Sequence, residues 1–251
     1  MPDYLFRRNT VLEAVRSSRR PLYRLWLQEK SDPKLLQPIL QAARARKLPV
    51  ETASKQRLTQ LAGDSSHQGI VLEAGAYPYS DVAAILDRAH SLQERPFILM
   101  LDLLHGPQNI GSLLRTAEIC GVHGVIIQDR RAPEITPHVA VYSAGATEHL
   151  HIAQVTNLVE TIKQLQQQDV WVVGMDIDEQ AQPLSAVDLN IPLAIVVGHE
   201  GQGLRRLVRD RCDIRLRLPM RGQVESLNAA VAGSILIFHA WQSRPEFGAR
   251  G

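Results

Sequence analysis

Three short stretches of the chain combine glycine with polar side chains, which is the residue mixture of loops that bind a small ligand. They read NIGSLLRTA at 109–117, IVVGHEGQGL at 195–204 and LPMRGQVESLNAAVA at 218–232. Glycine lets the backbone approach a ligand closely, and amide, hydroxyl and carboxylate groups can orient what binds there. The glycine spacing of the second stretch is not that of a dinucleotide loop, and Glu200 would repel a phosphate. A cationic ligand, by contrast, is compatible with that carboxylate.

The segments around these stretches predict an α/β fold. Continuous apolar runs predict strands that are buried on both faces, at 97–101, 124–128, 170–174 and 193–197. Alternation of leucine or isoleucine with arginine predicts a further strand at 214–218. Helices are predicted between the strands, at 110–120, 157–167 and 204–211. This order indicates a mostly parallel sheet with helices on both faces, in which ligands bind at the carboxyl ends of the strands. We therefore expect the three stretches to form one site.

Two helices carry the polar residues of this expected site. Asn109 is positioned to cap the helix that bears Arg115. The third stretch continues into an apolar helix from Ser226 to Trp241, with Ser226 and Asn228 in its first turn. Each of these polar residues could also serve only as a cap or a loop contact.

The N-terminal part of the chain differs in charge from the rest. Residues 1–75 contain 13 Lys and Arg against 7 Asp and Glu, whereas the remainder contains 15 against 19. Such a basic surface attracts a polyanion through counterion release, and a merely solvated face is the alternative. The arginines predicted to contact such a polyanion are Arg7, Arg8, Arg16, Arg19 and Arg20. Short helix and strand signals predict a small α/β domain at 1–75, a linker at 76–80 and a second domain at 81–251.

Other classes of protein are disfavoured. Charged residues interrupt every apolar segment among the first thirty residues, so we expect a cytoplasmic protein without a signal peptide or membrane partner. Cys120 and Cys212 are not spaced for a metal or a disulfide framework. His149 and His151 could share one face of a strand, but no third ligand follows at zinc spacing, and we expect no metal.

The three stretches, in this order, resemble the three signatures of the SpoU (TrmH-like) class of RNA ribose 2′-O-methyltransferases in the SPOUT superfamily. The resemblance implies a trefoil knot in the C-terminal domain and S-adenosylmethionine as the cofactor. It implies cofactor contacts at Gly198, Leu218 and Leu227, with Met220 and Gly145 nearby. In this class the first-signature arginine, here Arg115, is assigned to the proton of the target hydroxyl, although its guanidinium could equally hold a phosphate. The resemblance implies orienting roles for Asn109, Glu200, Ser226 and Asn228.

The N-terminal part is similar to the L30e-like RNA-binding domain that precedes many enzymes of this class. The runs RRNTVLEAVR at 7–16 and HQGIVLEA at 67–74 carry that similarity. Arg7 stands where relatives usually have glycine.

These resemblances imply methylation of a ribose 2′-hydroxyl in RNA, with a guanosine of 23S ribosomal RNA as the first candidate target. The alternatives are a ribose of transfer RNA or another ribosomal ribose, and a non-catalytic RNA-binding or ribosome assembly protein. A homodimer through the C-terminal domain is also predicted, because Ile235, Leu236, Phe238 and Trp241 supply more apolar surface than one side of a sheet needs.

Overall fold

The computed structural model describes residues 2–129, 134–178, 180–223 and 226–247. In chain order the strands are β1 (Asp3–Phe6), β2 (Leu22–Gln28), β3 (Val50–Ala53), β4 (Ile70–Ala74), β5 (Phe97–Leu101), β6 (Gly124–Gln128), β7 (His151–Val155), β8 (Trp171–Met175), β9 (Gln182–Pro183), β10 (Leu193–Val197) and β11 (Ile214–Arg217). The helices are α1 (Arg8–Ser17), α2 (Pro33–Ala45), α3 (Lys55–Ala62), α4 (Val82–Ser91), α5 (Pro107–Ile119), α6 (Pro137–Tyr142), α7 (Leu158–Gln166), α8 (Arg206–Arg209) and α9 (Ala229–Gln242).

These elements divide into two units. The first contains the described residues up to Pro78 together with Ile135–His149, and the second contains the described parts of 79–134 and of the chain from Leu150 onward. The segment 135–149 lies inside the domain predicted at 81–251, yet it belongs to the first unit. The physical reason is burial, because Ala140 and Val141 of α6 are part of the apolar clusters of that unit.

The first unit is built on a four-stranded sheet in the order β1-β4-β2-β3. Strand β4 pairs antiparallel with β1 and β2, and β3 pairs parallel with β2. Local signals set its helices: Asp32 accepts a hydrogen bond from Lys34 N ahead of α2, and Ser54 accepts one from Arg57 N ahead of α3. The predicted small α/β arrangement of this region is therefore present in the structure.

Arg7 has an unusual backbone conformation just before α1. Its φ is 68° and its ψ is 144°, a region that glycine adopts far more readily than other residues. A glycine would suit this turn, and Arg7 adopts it at a conformational cost.

The second unit is built on a seven-stranded sheet in the order β7-β6-β5-β10-β8-β11-β9. Every pair of neighbours in it runs parallel, which confirms the predicted parallel sheet. Strands β5, β6 and β10 are buried along their whole length, as expected for strands covered on both faces. The carboxyl ends of parallel strands lie at one edge of a sheet. The three glycine-containing stretches follow or begin within β5, β10 and β11, at that edge. Within the described residues, no helix is long and apolar enough to cross a membrane.

Three predicted helix boundaries are wrong. Helix α5 begins at Pro107 after Gly106, so Asn109 lies in the first turn and does not cap the helix. Helix α9 begins at Ala229 with Asn228 as its N-cap, which leaves Ser226 ahead of the helix. Helix α8 has only 4 residues instead of the predicted 8. In the first two cases the asparagine side chains form tertiary contacts that local propensity does not reveal.

Candidate active site

Residues from all three glycine-containing stretches meet in one hydrogen-bonded cluster. The amide Nδ2 of Asn109 donates to Oε2 of Glu200 over 2.9 Å, and the amide Nδ2 of Asn228 donates to Oε1 of Glu200 over 2.9 Å. Asn228 Nδ2 also lies 3.0 Å from Oδ1 of Asn109. We call this ring of three side chains the Asn–Glu–Asn junction. Both donors are neutral amides, so the junction keeps the full negative charge of Glu200.

The junction is placed by two helices and one loop. Asn228 caps α9, because its Oδ1 accepts hydrogen bonds from Ala230 N and Val231 N at 3.0 and 3.2 Å. Helix α9 packs against α5, where the hydroxyls of Thr116 and Ser234 lie 2.9 Å apart. Asn109 and Asn228 therefore stand on two helix starts that are fixed to each other.

The loop that carries Glu200 closes tightly on itself. His199 and Gly203 exchange backbone hydrogen bonds of 3.0 and 2.9 Å. A Cβ at Gly198 would lie 2.3 Å from the carbonyl of Gly203 and 2.6 Å from Leu204 N, so only glycine fits at that position. The backbone at Gly198 is therefore not covered by a side chain of its own.

A buried carboxylate anchors the end of this loop. Asp102, at the carboxyl end of β5, is fully buried and accepts hydrogen bonds from Arg205 N at 2.8 Å and Arg205 Nε at 2.6 Å. The guanidinium of Arg205 also donates to Oε1 of Gln128 over 3.0 Å. Neither Asp102 nor Arg205 was predicted from the sequence as part of the site. An aspartate directly after a fully apolar strand is the only local signal that could have indicated it.

A cavity of about 310 Å³ lies beside the junction. Three short segments line most of it: 175–178 at the end of β8, 197–204 at the end of β10, and the later part of the third stretch at Ser226, Leu227 and Ala229. This volume is within the range of small-molecule sites, which is about 300–1,000 Å³. The cavity is therefore assembled from the carboxyl ends of neighbouring parallel strands.

The walls of the cavity are rich in carboxylates. Asp176, Asp178 and Glu200 line it, with Arg209 as the lining cation. Asp176 and Asp178 both accept hydrogen bonds from the guanidinium of Arg215, at 3.2 and 3.3 Å. The pKa of Asp178 is lowered, mainly by the backbone N–H of Gln180 and then by Arg215, so this carboxylate stays ionised. The two aspartates were also missed, although their position directly after an apolar run signals the end of a parallel strand.

One buried polar atom of the cavity wall has no protein partner. Nδ1 of His199 makes no hydrogen bond to any described residue. Its ring lies edge-on to that of His105, with centroids 5.4 Å apart. Such an atom in a cavity wall is available to a ligand.

Some of the residues predicted for the site line the cavity or belong to the junction, and others do neither. Gly198, Glu200, Ser226 and Leu227 line the cavity, and Asn109 and Asn228 belong to the junction. Leu218 and Met220 follow β11 but are not among the residues that line the cavity, and Met220 is exposed. Arg115 lies on the exposed face of α5, and its guanidinium forms no hydrogen bond or ion pair with any residue that the structure describes.

Gly145 lies in the first unit. Its φ is 90°, and a Cβ there would lie 2.7 Å from Cβ of Glu13 and 3.2 Å from Cα of Thr10. Packing against α1 is therefore a sufficient reason for glycine at this position, and its proposed contact with the cofactor stays a prediction.

The predicted RNA-binding arginines separate into two groups, and Arg20 has to be removed from the prediction. Arg20 is buried, and its guanidinium donates to Glu148 at 2.7 and 3.1 Å and to Asp3 at 2.8 Å. A buried and compensated guanidinium is a structural contact and cannot reach a polyanion. The other four arginines remain wholly or partly accessible, at Arg7, Arg8, Arg16 and Arg19.

Comparisons with known proteins agree over both units. A model of the SpoU rRNA Methylase family matches residues 96–238, and a model for RNA 2′-O ribose methyltransferase substrate binding matches residues 4–80. YacO of Bacillus subtilis, named for the TrmH family of tRNA/rRNA methyltransferases, is 38% identical over 98% of this chain and 98% of its own. A Staphylococcus haemolyticus protein named for the same family is 39% identical over 96% of each chain. The crystal structure of the SpoU methyltransferase AviRb from Streptomyces viridochromogenes, in complex with AdoMet, matches with a TM-score of 0.78 at 22% identity, over 95% of this chain and 89% of that chain.

Proposed function

Because the chain belongs to the SpoU rRNA methylase family, we propose that it transfers a methyl group from S-adenosylmethionine to a ribose 2′-hydroxyl of an RNA. The observation that carries this proposal is the Asn–Glu–Asn junction beside the cavity. Three separate stretches supply its members, and it presents a charged carboxylate next to a small-molecule site. The trefoil knot implied by the family resemblance stays a prediction.

The cavity suits S-adenosylmethionine in charge and in construction. A sulfonium cofactor is cationic, and Glu200, which accepts hydrogen bonds from neutral amides, favours a cation in the wall. Asp176 and Asp178 also line the cavity, but both are paired with Arg215. The backbone at Gly198, which carries no side chain, and the unpartnered Nδ1 of His199 are available for hydrogen bonds to a ligand. When bound, the cofactor would supply a methyl group that is activated by its positively charged sulfur. An oxygen nucleophile can take this methyl group, and the sulfur is the leaving atom. The solved complex of AviRb with AdoMet supports the same cofactor for this fold.

The polar residues have separate roles in this proposal. Methyl transfer to a hydroxyl requires that the oxygen is aligned with the methyl carbon and that its proton is removed. The junction holds Asn109, Glu200 and Asn228 in one fixed arrangement at the mouth of the cavity, which suits them to orient the ribose. Arg115 has no protein partner among the described residues and is available to an RNA phosphate or to the departing proton.

We propose a guanosine of 23S ribosomal RNA as the target. The support is the layout of a small α/β unit and a parallel-sheet unit at this length, which resembles that of RlmB, an enzyme that methylates such a guanosine. The curated relatives are named for tRNA or rRNA substrates, so a tRNA ribose or another ribosomal ribose is the alternative. Mapping methylated riboses in RNA from cells that lack the gene tests this, since the target position loses its methyl group.

We also propose a homodimer through the second unit. Of the residues predicted for this surface, Ile235 and Phe238 are exposed, whereas Leu236 is buried in the second unit. Val231 is exposed as well, and it lies with Ile235 and Phe238 along one side of α9. An exposed apolar stripe of this kind marks an association surface. Light scattering should report a dimer at micromolar concentration, and Ile235→Glu/Phe238→Glu should report a monomer. A monomeric wild type would refute the proposal.

Calorimetry with S-adenosylmethionine separates an enzyme from a scaffold. The proposal requires saturable binding by the wild type and weaker binding by Gly198→Ala, because the added Cβ would displace the Gly203 carbonyl. Lack of any binding by the folded wild type would favour a non-catalytic RNA-binding or ribosome assembly protein.

The role of Arg115 is tested by measuring kcat and the affinity for S-adenosylmethionine separately. Arg115→Ala should lower kcat by about 100-fold or more while it leaves S-adenosylmethionine affinity unchanged, because Arg115 does not line the cavity. Arg115→Lys retains a charge with a lower pKa but lacks the planar fork. Partial rescue that grows with pH would indicate proton removal, whereas no rescue would indicate a phosphate contact. A near wild-type rate for Arg115→Ala would exclude both roles.

A further inference from the structure

The first unit contains a polar cavity that lies outside the proposed active site. Its volume is about 320 Å³. The residues that line it are Arg8, Gln28, Ser31, Asp32, Leu36, Lys55, Ser65, His67, Gln68 and Gly69. We call it the N-terminal cavity.

Three helices begin at this cavity. Arg8 is the first residue of α1, Asp32 is the N-cap of α2, and Lys55 is the first residue of α3. Each of these helices has 8 or more residues. Each helix start carries partial positive charge, although one backbone N–H at each start already donates to a side chain, that of Gln68, Asp32 or Ser54. Helix starts bind phosphate for this reason. Three helix starts meet at this cavity. Its lining also contains two cations, Arg8 and Lys55, and one carboxylate, that of Asp32. The cavity therefore favours an anion.

Two buried donors of the cavity wall form no hydrogen bond of normal geometry within the described part of the chain. Nε of Arg8 is buried and has no hydrogen-bond partner within the described part of the chain. His67 is 1% exposed, and its Nδ1 accepts a hydrogen bond from Gly69 N at 3.0 Å, which leaves the proton on Nε2. Nε2 forms no hydrogen bond of normal geometry. A backbone group of Lys55 nevertheless lies close enough to raise the pKa of this ring, against the larger lowering effect of burial. Unpaired buried donors destabilise a fold, and they are expected where a ligand completes the pairing.

We propose that the N-terminal cavity holds one nucleotide of the substrate RNA, with its phosphate against Arg8, Lys55 and the three helix starts. This inference rests on the proposed function for the identity of the polyanion. It replaces the broad basic surface predicted from the sequence with one defined subsite. Lys55, His67 and Gln68 belong to this subsite, and buried Arg20 does not.

The test compares two charge-matched double variants of the full chain. Arg8→Ala/Lys55→Ala removes both cavity cations, whereas Arg44→Ala/Arg57→Ala removes two exposed cations of α2 and α3 that do not line the cavity. Binding to total ribosomal RNA is measured over a range of salt concentrations. The cavity variant should bind about tenfold more weakly, and the slope of log affinity against log salt should become less steep by about 0.7 to 0.9 for the phosphate lost. Equal weakening by the control variant would show a diffuse basic face and overturn the proposal.

Photocrosslinking supplies the second measurement. Ribosomal RNA that contains 4-thiouridine should crosslink to peptides that span 28–36, 55 or 65–69, and the cavity variant should lose these crosslinks. The thermal stability of the cavity variant should not fall, because an unpaired buried donor is removed. Inorganic phosphate at matched ionic strength should not displace the RNA. If it does so as well as an RNA fragment, the cavity is a general anion site and the proposal fails.

The outcomes also separate this inference from the proposed function. A wild type that methylates RNA but shows neither the crosslinks nor the variant effect overturns the cavity proposal alone. A wild type that crosslinks through the cavity but transfers no methyl group refutes the proposed function and leaves the cavity as an RNA site.

Discussion

Two glutamates in different units show how the same side chain becomes part of a site or part of the fold. Glu200 is exposed and accepts hydrogen bonds from the neutral amides of Asn109 and Asn228. Glu148 is fully buried and accepts two hydrogen bonds from the cation of Arg20. The amides orient Glu200 without cancelling its charge, whereas Arg20 compensates Glu148. An uncompensated, oriented carboxylate can act on a cationic ligand, and a compensated one stabilises its surroundings.

The environment of Glu148 explains why Arg20 is required there. Burial raises the pKa of the Glu148 carboxyl, while the charge of Arg20 acts in the opposite direction. The same guanidinium donates to Asp3 and to the Gly75 carbonyl, and it lies 5.1 Å from the ring centroid of Tyr77. Arg20 therefore joins several segments of the first unit at one point.

Breaking the buried pair should have the largest effect on stability. Arg20→Met leaves Glu148 buried without a counter-charge, and the free energy of unfolding should fall by about 3–5 kcal/mol. Urea denaturation followed by Trp26 fluorescence, in a Trp171→Phe/Trp241→Phe background, reports on the first unit. Arg16→Met is the matched control, because the Arg16–Glu13 pair is exposed and contributes about 0–1 kcal/mol. Arg20→Met/Glu148→Leu should recover most of the loss, and no recovery would mean that packing of Arg20, and not its charge, dominates.

Breaking the exposed junction should affect activity and not stability. Glu200→Gln removes the charge and one of the acceptors that join the three stretches, so kcat/KM should fall by about 100-fold, the effect of a small misplacement of reacting groups. The free energy of unfolding should change by less than about 0.5 kcal/mol. Methyl incorporation from labelled S-adenosylmethionine and urea denaturation measure the two quantities. Glu160→Gln, at another exposed position, should change neither kcat/KM nor the free energy of unfolding. A Glu200 variant that is destabilised but fully active would show that Glu200 stabilises the fold and is not needed for the reaction.

Asn228 allows the cap and the junction to be separated. Asn228→Ser retains a side-chain oxygen that can cap α9 but loses the amide that donates to Glu200. We expect stability close to wild type with an activity loss similar to that of Glu200→Gln. Asn228→Ala loses both contacts and should be less stable by about 1 kcal/mol. Thermal unfolding and methylation assays on the pair test this, and full activity in Asn228→Ser would show that Asn228 acts only as a cap.

The smallest effect concerns pH and two buried histidines, one in each unit. Burial lowers the pKa of His67 and of His123, and Nδ1 of His123 accepts the N–H of Phe97 over 2.9 Å. A pKa that is lower in the folded state means that protonation favours unfolding. The stability from the neutral rings is present above the ordinary histidine pKa of about 6.5 and is lost as pH falls below it. Urea denaturation between pH 7.5 and 5 (from about one unit above that value to about one and a half units below it) should show this decline, and His123→Asn should reduce its slope. An unchanged slope would assign the decline to other groups.

The sequence alone was sufficient where the signal is local. Asp32-Pro33, Ser54 and Asp81 mark helix starts because a cap needs only its next few backbone N–H groups. The apolar runs at 97–101 and 193–197 predict parallel strands because such strands are buried on both faces. The glycine-containing stretches and their order along the chain are likewise properties of the sequence itself and need no knowledge of the packing.

Only the tertiary structure decided which polar groups become partners. Arg20 reads as one of several basic residues, but its partner Glu148 lies 128 positions away. Asn109 reads as a cap, yet its amide joins Glu200, 91 positions later. Burial and charge compensation depend on which segments pack together, and no local pattern encodes that packing. The same reason explains why the sequence did not reveal the three helix starts at the N-terminal cavity, whose residues Arg8, Asp32 and Lys55 are far apart in the chain and meet only when the first unit folds.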